Sequence, residues 1–315
     1  MDNLPLVSVP VVTYNSSKYV LETLESIKAQ TYQNIELIVS DDCSTDNTVK
    51  ICRKWIEENA NRFVRTELIT SPTNTGISAN LNRAEAACRG EWVKPIAGDD
   101  LLLPECVESC INYVLNKNDV IFLFGRIMAF GAEKSRCESV EQHFDSSFFG
   151  MPIDQQLHHL IFTGNCIPAS TAFYNRLKYA SLGISNDERI PLMEDWAKWI
   201  NVLRKGVRLY YIDLYLVKYR IGGISTGEYR SLTYYRSHRL MYFYYIYPEL
   251  LKEDVDKAVS NVVNNECACY AENLELKRQL NRIRSSFVYK CYSISIYPII
   301  RLLKSLRKKH TSLSA

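Results

Sequence analysis

Short apolar runs alternate with amphipathic segments along the first third of the chain. Runs rich in β-branched residues predict strands at 6–14, 35–40 and 66–70. The segments between them carry apolar residues at helical spacing, as in Val20, Leu24 and Ile27. This alternation predicts a largely parallel sheet covered by helices on both faces. Pro10 argues against a central position for the first strand, because proline has no N–H for the strand ladder.

A fourth apolar run, at 92–97, ends in the adjacent carboxylates Asp99 and Asp100. Pro104 suits the first turn of a following helix, whose apolar residues are Val107, Ile111 and Val114. Two neighbouring anions repel each other, but a divalent cation shared with phosphate oxygens would turn them into a binding site. The alternative is a solvated Asp-Asp turn that caps the next helix.

Polar residues follow directly on several predicted strands. Asn15 follows the first strand, and the pair Asp41 and Asp42 follows the second. In open α/β sheets, ligands bind beyond the carboxyl ends of the strands. We therefore expect Asn15, the Asp41–Asp42 pair and the Asp99–Asp100 pair to gather at one edge of the sheet.

The motifs of several enzyme classes are missing. No GxGxxG follows the first strand, no GxxxxGK[ST] is present, and the five histidines form no HExxH. These observations argue against a dinucleotide-binding fold, a P-loop nucleotidase and a zinc protease. The ten cysteines are scattered without disulfide or zinc spacing, which favours free thiols in a reducing cytosol. A composition of 47% hydrophobic and 23% charged residues is typical of a soluble globular protein.

The net charge of +3 hides an asymmetry. Residues 274–310 contain ten basic residues and one acidic residue, a formal charge of +9, so the rest of the chain is acidic. The segment from Lys290 to Arg301 has too few uninterrupted apolar residues to span a bilayer, and Pro298 interrupts it. We predict that this tail lies in the headgroup region of the cytoplasmic membrane face. A nucleic-acid contact and a solvated tail are the alternatives; we expect no nucleic-acid partner. The first residues lack the pattern of a signal peptide.

Five motifs, in this order, resemble glycosyltransferase family 2: 7–15 with Thr-Tyr-Asn, 38–48 with Ser-Asp-Asp, 74–76, 90–100 with Gly-Asp-Asp, and 193–196 with Glu-Asp. The resemblance covers about residues 5–225. It implies a GT-A fold, which is a Rossmann-like α/β architecture with a mixed, mostly parallel sheet. It also implies an inverting transferase that uses nucleotide-diphosphate sugars. We expect a catalytic domain at 1–228 and a helical C-terminal region at 229–315 that includes the basic tail.

The same resemblance implies roles for particular residues. The nucleoside would be held by Tyr14 and Asp42, Asp99 would lie beside the ribose, and Asp100 would bind Mn²⁺ or Mg²⁺. Asp195, with Glu194 beside it, would be the general base. The residues implied in binding the nucleotide sugar are Thr13, Tyr14, Asn15, Asp42, Asn74, Gly76, Asn80 and Asp99.

The pattern at 193–203 predicts the start of a helix. Its inward-facing residues would be Trp196, Trp199, Ile200 and Leu203. The alternative role for Glu194 and Asp195 is therefore to complement the helix dipole. Residues 164–176 read as a strand on the acceptor side, and 131–163 as an unpatterned acceptor loop. The aromatic residues at 229–247 are expected to pack on the catalytic domain.

Three features depart from the family pattern: Ala97 stands where an acid is frequent, Cys43 where glycine is usual, and 219–225 has no histidine. They leave a catalytically silent sugar-nucleotide-binding or scaffold protein as the alternative. A nucleotidyltransferase would need a glycine-rich basic loop, which 13–17 is not. We expect an enzyme peripheral on the inner face of the cell membrane that builds surface polysaccharide. Its donor would be a UDP-, GDP- or dTDP-sugar and its acceptor a glycan or a lipid-linked glycan.

Overall fold

The computed structural model of the chain describes residues 4–222 and 232–253. The described residues up to Ile246 belong to one compact unit, and the helix that follows, Tyr247–Glu253, belongs to a second unit. The predicted domain boundary at 228 and the basic tail at 274–310 lie outside the described residues. None of the helices in the described ranges is long and apolar enough to cross a membrane.

The first half of the chain forms parallel strands separated by helices, as the pattern predicts. The strands are β1 (Val7–Thr13), β2 (Ile35–Asp41), β3 (Arg65–Thr70), β4 (Trp92–Val93) and β5 (Ile96–Ala97). The helices between them are α1 (Val20–Lys28), α2 (Thr48–Asn59) and α3 (Ile77–Ala87). Strand β1 pairs in parallel with β2, β4 and β5, and β2 pairs in parallel with β3. The carboxyl ends of these strands therefore lie at one edge of the sheet.

The second half adds antiparallel pairs and more helices. Its strands are β6 (Leu101–Leu102), β7 (Phe122–Phe130), β8 (Phe173–Asn175) and β9 (Leu209–Arg220). Its helices are α4 (Cys106–Val114), α5 (Lys134–His143), α6 (Ile153–Phe162), α7 (Arg176–Ser181), α8 (Glu194–Arg204), α9 (Leu232–Met241) and α10 (Tyr247–Glu253). The sheet order is β3-β2-β1-β4-β8-β7-β9-β6, with β5 also on β1. Because β8 is antiparallel to β4 and β7, and β6 to β9, the sheet is mixed and mostly parallel, as predicted.

Pro10 lies in a central strand, so the expectation that it would exclude β1 from the middle of the sheet was wrong. The register on either side, Ser8 with Val93 and Val11 with Ile96, puts Pro10 opposite Pro95. These two prolines meet where the predicted fourth strand is interrupted and divides into β4 and β5. The missing N–H of Pro10 therefore falls at a break in the ladder, where proline is tolerated.

The predicted inward faces of the helices are largely confirmed. Val20, Leu24 and Ile27 of α1 are fully buried, and so are the apolar positions of α4. Trp199 of α8 packs edge-on against Phe124 of β7, with ring centroids 4.9 Å apart. Aromatic residues after α9 pack on the same helix, since the Tyr245 hydroxyl accepts a 3.2 Å hydrogen bond from Asn201. This confirms the packing role expected for the described part of the aromatic segment.

Helix α1 begins without a side-chain cap; the Ser16 carbonyl accepts the N–H groups of Tyr19 and Val20. Two local predictions were wrong. The strand expected at 164–176 is only β8, because the residues before it form turns packed on β5 and β7. The segment 131–163, which lacks a clear pattern, contains α5 and α6.

A buried carboxylate fixes the amino ends of the first strands. Glu36 of β2 is fully buried and accepts hydrogen bonds from the Ser8 hydroxyl at 2.5 Å and the Gly90 N–H at 2.9 Å. It also forms a 2.8 Å ion pair with Arg65 of β3. Burial by itself would raise the pKa of Glu36, but these bonds outweigh burial and lower the pKa. Glu36 thus connects β1, β2, β3 and the turn before β4.

Candidate active site

The loop after β1 is hydrogen-bonded to the loop after β2. Asn15 has a positive φ of 50°, and its N–H donates to the Ser44 hydroxyl oxygen over 2.8 Å. Its Oδ1 accepts a 2.8 Å bond from the Thr45 N–H. Tyr14, one residue earlier, has 47% of its surface exposed. The two loops thus form one structure at the carboxyl edge of the sheet, with the Tyr14 side chain accessible there.

Thr13, the last residue of β1, connects several of the predicted positions. Its hydroxyl donates to Oδ2 of Asp41 over 2.7 Å. Its carbonyl accepts the Asp42 N–H at 2.9 Å and the Asn80 side-chain amide at 3.4 Å. Thr13 is itself buried. Because it is buried, Thr13 influences the edge of the sheet through its hydrogen bonds to Asp41, Asp42 and Asn80.

The Asp42 carboxylate accepts four hydrogen bonds from the chain. Oδ2 accepts from the N–H groups of Thr75 at 2.9 Å and Gly76 at 2.7 Å. Oδ1 accepts from the Thr75 hydroxyl at 2.6 Å and from Arg83 at 2.9 Å. A carboxylate has about four lone-pair sites, so these four hydrogen bonds use all of the acceptor sites of Asp42. Contact with a nucleoside would require one of them to be exchanged.

These bonds also decide the charge of Asp42. Burial by itself would raise the pKa of the carboxyl, but the bonds from Thr75, Arg83 and Gly76 outweigh burial and lower the pKa below its usual value. Asp42 is therefore ionised near neutral pH. Arg83, which also donates to the Asp42 carboxylate, was not predicted from the sequence. Its position one turn after Asn80 on α3 is the signal that would have pointed to it.

Asn74, Gly76 and Asn80 shape the loop that leads into α3. Oδ1 of Asn74 accepts a 3.1 Å bond from the Gly76 N–H, and Gly76 has φ of 87° and ψ of 165°. Asn80 is buried and exchanges hydrogen bonds with Ser40 of β2, whose hydroxyl donates to Oδ1 over 2.6 Å. The Asn80 amide is thus engaged within the protein. Its contribution to a nucleotide site would be to position this loop.

The turn that carries Asp99 and Asp100 packs on the end of β1. A Cβ at Gly98 would lie 2.7 Å from Cγ2 of Thr13, so the close approach requires glycine. The Asp100 carbonyl accepts a 2.8 Å bond from the Thr23 hydroxyl of α1. The paired acids therefore lie beside the loop that follows β1, which confirms that these segments meet at the same edge of the sheet.

Arg220, at the end of β9, binds both members of the pair. Its backbone N–H donates to Oδ1 of Asp100 over 2.8 Å, and its Nε donates to the Asp99 carbonyl over 2.8 Å. Its terminal nitrogen forms a 2.8 Å ion pair with Glu22 of α1. One side chain thus joins the acidic turn to α1 and β9.

Aromatic rings hold this guanidinium in place. Its carbon lies 4.2 Å from the ring centroid of Tyr19 and 4.4 Å from that of Phe130. In the sequence, Tyr219 and Arg220 stand out only because no histidine follows them. The role of Arg220 itself was missed, and the Tyr-Arg pair was the available signal.

The surroundings of the Asp99–Asp100 pair raise the pKa values of both carboxyl groups. Burial and the charge of Asp99 raise the pKa of Asp100 to about 8, and burial raises that of Asp99. None of the described residues donates a hydrogen bond to Oδ2 of Asp100. In the described ranges no three His, Cys, Asp or Glu side chains cluster as a preformed metal site. Mg²⁺ and Mn²⁺ need only one or two carboxylates when phosphates supply further ligands, so this pair fits either ion.

Glu194 and Asp195 form the first turn of α8, as predicted. The residue before them, Met193, has a left-handed conformation with φ of 70°, which turns the chain sharply into the helix. Oδ2 of Asp195 accepts a 2.8 Å bond from Nδ2 of Asn165. Asn165 comes from the turn region before β8, and the sequence held no signal for this contact.

The charges at this helix start are strongly perturbed. Burial and the charge of Asp195 raise the pKa of Glu194 to about 8. Burial also raises the pKa of Asp195, against the hydrogen bond from Asn165, which lowers it. A carboxyl whose pKa is raised above its usual value is better suited to accept a proton than an ordinary carboxyl.

Helix α3 connects the Asp42 loop with the start of α8. Its first turn is bonded to Asp42 through Gly76, and the Ser78 hydroxyl donates a 2.8 Å bond to the Ile190 carbonyl. Further along, Glu85 forms a buried 3.1 Å ion pair with Lys198 of α8. The predicted nucleotide and base residues are thus supported by one helix.

Comparisons with known proteins agree with this geometry. The family described as glycosyl transferase family 2 matches residues 8–178, which is more than half of the chain. A Haemophilus influenzae protein named as an uncharacterized glycosyltransferase is 31% identical over 232 residues, 72% of this chain and 69% of that protein. A segment of 112 residues is 36% identical to Escherichia coli chondroitin synthase, covering 36% of this chain and 16% of the synthase.

The fold is also known from crystal structures. TarS of S. aureus, residues 1–349 in complex with UDP-GlcNAc, matches with a TM-score of 0.60 and 20% identity over 85% of this chain and 74% of that one. At this identity the likeness concerns the fold. Taken with the family match, it identifies the mixed sheet as a GT-A fold. The chain belongs to glycosyl transferase family 2 and is a glycosyltransferase.

Proposed function

We propose that the enzyme transfers a sugar from a UDP-linked donor to a hydroxyl group of a glycan acceptor, with inversion at the anomeric carbon. The observation that carries this proposal is the Asp99–Asp100 turn, held by Arg220 beside the end of β1. A UDP-linked donor is supported by the fold likeness to TarS, which was crystallised with UDP-GlcNAc. Tyr14 and the Asp42 loop would hold the nucleoside, and Asp99 would lie beside the ribose.

Asp100 would hold Mn²⁺ or Mg²⁺ through its Oδ2. A bound cation would neutralise the charge that develops on the departing diphosphate. The backbone N–H of Arg220 keeps Oδ1 oriented, and the carbonyl of Asp100 is fixed by Thr23. The chain thus contributes a single oriented carboxylate oxygen, with Asp99 beside it.

Asp195 would act as the general base. It would take the proton from the acceptor hydroxyl while that oxygen bonds to the anomeric carbon and the bond to the diphosphate oxygen breaks. The bonding electrons would leave with the nucleoside diphosphate, and this single displacement inverts the anomeric centre. The Asn165 amide would hold the Asp195 carboxylate in position through its 2.8 Å bond. A positioned general base typically raises the reaction rate by a factor of about 10²–10⁴.

We further propose that the product is a surface polysaccharide made on a lipid-linked acceptor. The similarity to chondroitin synthase, whose name states a polysaccharide product, supports the first part. The basic tail at 274–310, within the region 229–315, supports the second, since each Lys or Arg near an anionic leaflet adds about 1 kcal/mol. The enzyme would then be peripheral on the inner face of the membrane, with 1–228 as its catalytic domain.

The membrane proposal has a direct test. Full-length chain and a chain lacking 285–315 are each sedimented with anionic liposomes. We expect the full chain to co-sediment and the shortened one to remain in the supernatant. Equal sedimentation of both would refute the role of the tail.

The transferase proposal is tested by measuring UDP release from UDP-GlcNAc with Mn²⁺ for the unchanged chain, Asp100→Asn and Asp195→Asn. We expect Asp100→Asn to lose its response to Mn²⁺. Asp195→Asn should lose at least about 10² in rate while still binding UDP. UDP binding by the unchanged chain without any turnover would instead support the silent sugar-nucleotide-binding alternative. Full turnover in Asp195→Asn would refute the base assignment.

A further inference from the structure

Strand β9 carries a bulge of extra residues opposite β7. The parallel register pairs Phe124 with Tyr211 and then Arg126 with Tyr215, so residues 212–214 stand opposite Gly125 alone. A Cβ at Gly125 would lie 2.6 Å from Leu216 and 2.9 Å from the Leu214 carbonyl, so the position admits only glycine. Bulges re-aim side chains and open the ladder locally.

A cavity of about 300 Å³ lies at this bulge, and we name it the bulge cavity. It is lined in part by the end of α5, the turn after α5, Cys166 and Pro168. Its polar and aromatic lining includes Arg126, Glu141, Asp145, Tyr211, Asp213 and Tyr215. The volume is at the lower end of the range for small-molecule sites, which suits one monosaccharide unit.

The bulge cavity adjoins the support of the proposed base. Cys166, which lines the cavity, directly follows Asn165, and Asn165 holds Asp195. The carbonyl of Asn165 also lies 3.1 Å from a ring nitrogen of His143, the last residue of α5. One short segment therefore forms the wall of the cavity and positions the base.

Two tyrosine rings in the lining are held by neighbours. Tyr211 stacks on Phe149 with centroids 5.0 Å apart and planes at 18°. The guanidinium carbon of Arg126 lies 4.3 Å from the ring centroid of Tyr215. Fixed aromatic surfaces next to hydrogen-bonding groups suit a ligand with both apolar C–H faces and hydroxyl groups.

The charge of the lining restricts the ligand further. Glu141, Asp145 and Asp213 are acidic and Arg126 is basic, which gives a formal charge of −2. Hydrogen bonds from Ser147 lower the pKa of Asp145, so this acid is ionised at neutral pH. Carboxylates accept hydrogen bonds from hydroxyl groups but repel phosphates and uronates.

We propose, resting on the transferase function above, that the bulge cavity binds one uncharged sugar unit of the acceptor glycan. The hydroxyls of that unit would donate to the acidic side chains while its ring packs on Tyr215. The enzyme would then select neutral over uronic-acid units at this position.

Saturation-transfer NMR with the full chain tests this proposal. The probes are methyl β-glucoside, methyl β-N-acetylglucosaminide and methyl β-glucuronide, each with UDP and Mn²⁺ present. We expect signals from the two neutral glycosides and several-fold weaker signals from the glucuronide. Tyr215→Ala should lose the neutral signals, and Leu214→Ala, an exposed bulge residue outside the cavity, should keep them.

A charge change provides a second readout that misfolding does not imitate. Asp213, with 76% of its side chain exposed, tolerates replacement, and Asp213→Lys brings the formal charge of the lining to zero. We expect glucuronide binding to rise several-fold relative to the glucoside. Equal binding of all probes, or no response to Tyr215→Ala or Asp213→Lys, would overturn the proposal. Failure of UDP to bind would instead refute the transferase function, so the two failures are distinguishable.

Discussion

Nδ2 of Asn165 lies 2.8 Å from Oδ2 of Asp195 and donates a hydrogen bond to it. The two residues come from different parts of the chain, the turn region before β8 and the first turn of α8. The bond favours the ionised form of Asp195, against burial, which raises its pKa. Asn165 is therefore a positioning residue for the proposed base.

Replacing Asn165 by Ala should shift the pH dependence of transfer. Without the amide the pKa of Asp195 rises further, so a base that must be ionised loses activity at a higher pH than before. A hydrogen bond to a charged group is worth about 1.5–3 kcal/mol, or roughly one to two pH units. The measurement is kcat/KM against pH. Asn201→Ala is the matched control: Asn201 lies on α8, as Asp195 does, but is bonded to Tyr245, so this variant should keep the original profile. An unmoved acidic limb in Asn165→Ala would contradict the assignment.

Replacing Arg220 by Lys should weaken metal binding. Lysine keeps the charge but lacks the planar fork that reaches the Asp99 carbonyl and Glu22 together. Residues that orient metal ligands typically contribute about 10–100-fold in metal affinity, and we expect a loss in that range. The measurement is a Mn²⁺ titration followed by electron paramagnetic resonance, with UDP present.

The control for Arg220→Lys is Arg176→Lys. The Nε of Arg176 also donates to a carbonyl, that of Gly90, at 2.7 Å, but at the start of β4 instead of the carboxyl edge. Its Mn²⁺ affinity should not change. If Arg220→Lys is folded and binds Mn²⁺ as tightly as the unchanged chain, the positioning role is wrong.

Replacing Gly76 by Ala should disturb the loop that binds Asp42. Its φ of 87° with ψ of 165° is a conformation open almost only to glycine, and no atom lies within 4 Å of the place that an added Cβ would take, so the cost is conformational. We expect a loss of about 1–3 kcal/mol in unfolding free energy and weaker UDP binding. Gly183→Ala also has a positive φ and open space, but it lies after α7. If Gly183→Ala loses similar stability but binds UDP normally, the weaker UDP binding of Gly76→Ala is due to its loop. Unchanged UDP binding in Gly76→Ala would contradict the prediction.

Replacing Glu36 by Gln should destabilise the fold. Removing one partner of a buried ion pair costs about 3–5 kcal/mol, and Glu36 also receives bonds from Ser8 and Gly90. Because folding lowers the pKa of Glu36, its stabilisation is complete above the unfolded-state pKa of about 4.3 and is lost as pH falls through the lower folded value.

Urea unfolding at several pH values measures the Glu36 effect. The difference in unfolding free energy between the unchanged chain and Glu36→Gln should be largest near pH 7 and shrink below about pH 4. Glu67→Gln, which removes the more exposed partner of Arg65, should cost much less. A difference that stays constant with pH would refute the role of the ionised carboxylate.

Local pattern predicted the elements that depend on near neighbours in the chain. The alternation of strands and helices predicted β1 to β3 and the helices between them, and the apolar spacing in 193–203 predicted α8 and its buried face. The rule that parallel strands present their carboxyl ends together predicted that the Asp42 and Asp99–Asp100 turns would meet. Pro10 was misleading, since its tolerance depends on the break at Pro95, between β4 and β5.

The chain sequence by itself determined which segments form strands and helices and which acids follow them, because periodicity and turn chemistry act over a few residues. Tertiary structure alone decided what holds those acids. Arg220 reaches Asp99 across 121 positions, Arg83 reaches Asp42 across 41, and Asn165 reaches Asp195 across 30. Such contacts depend on the packing of distant strands, and no local pattern encodes the distance between them.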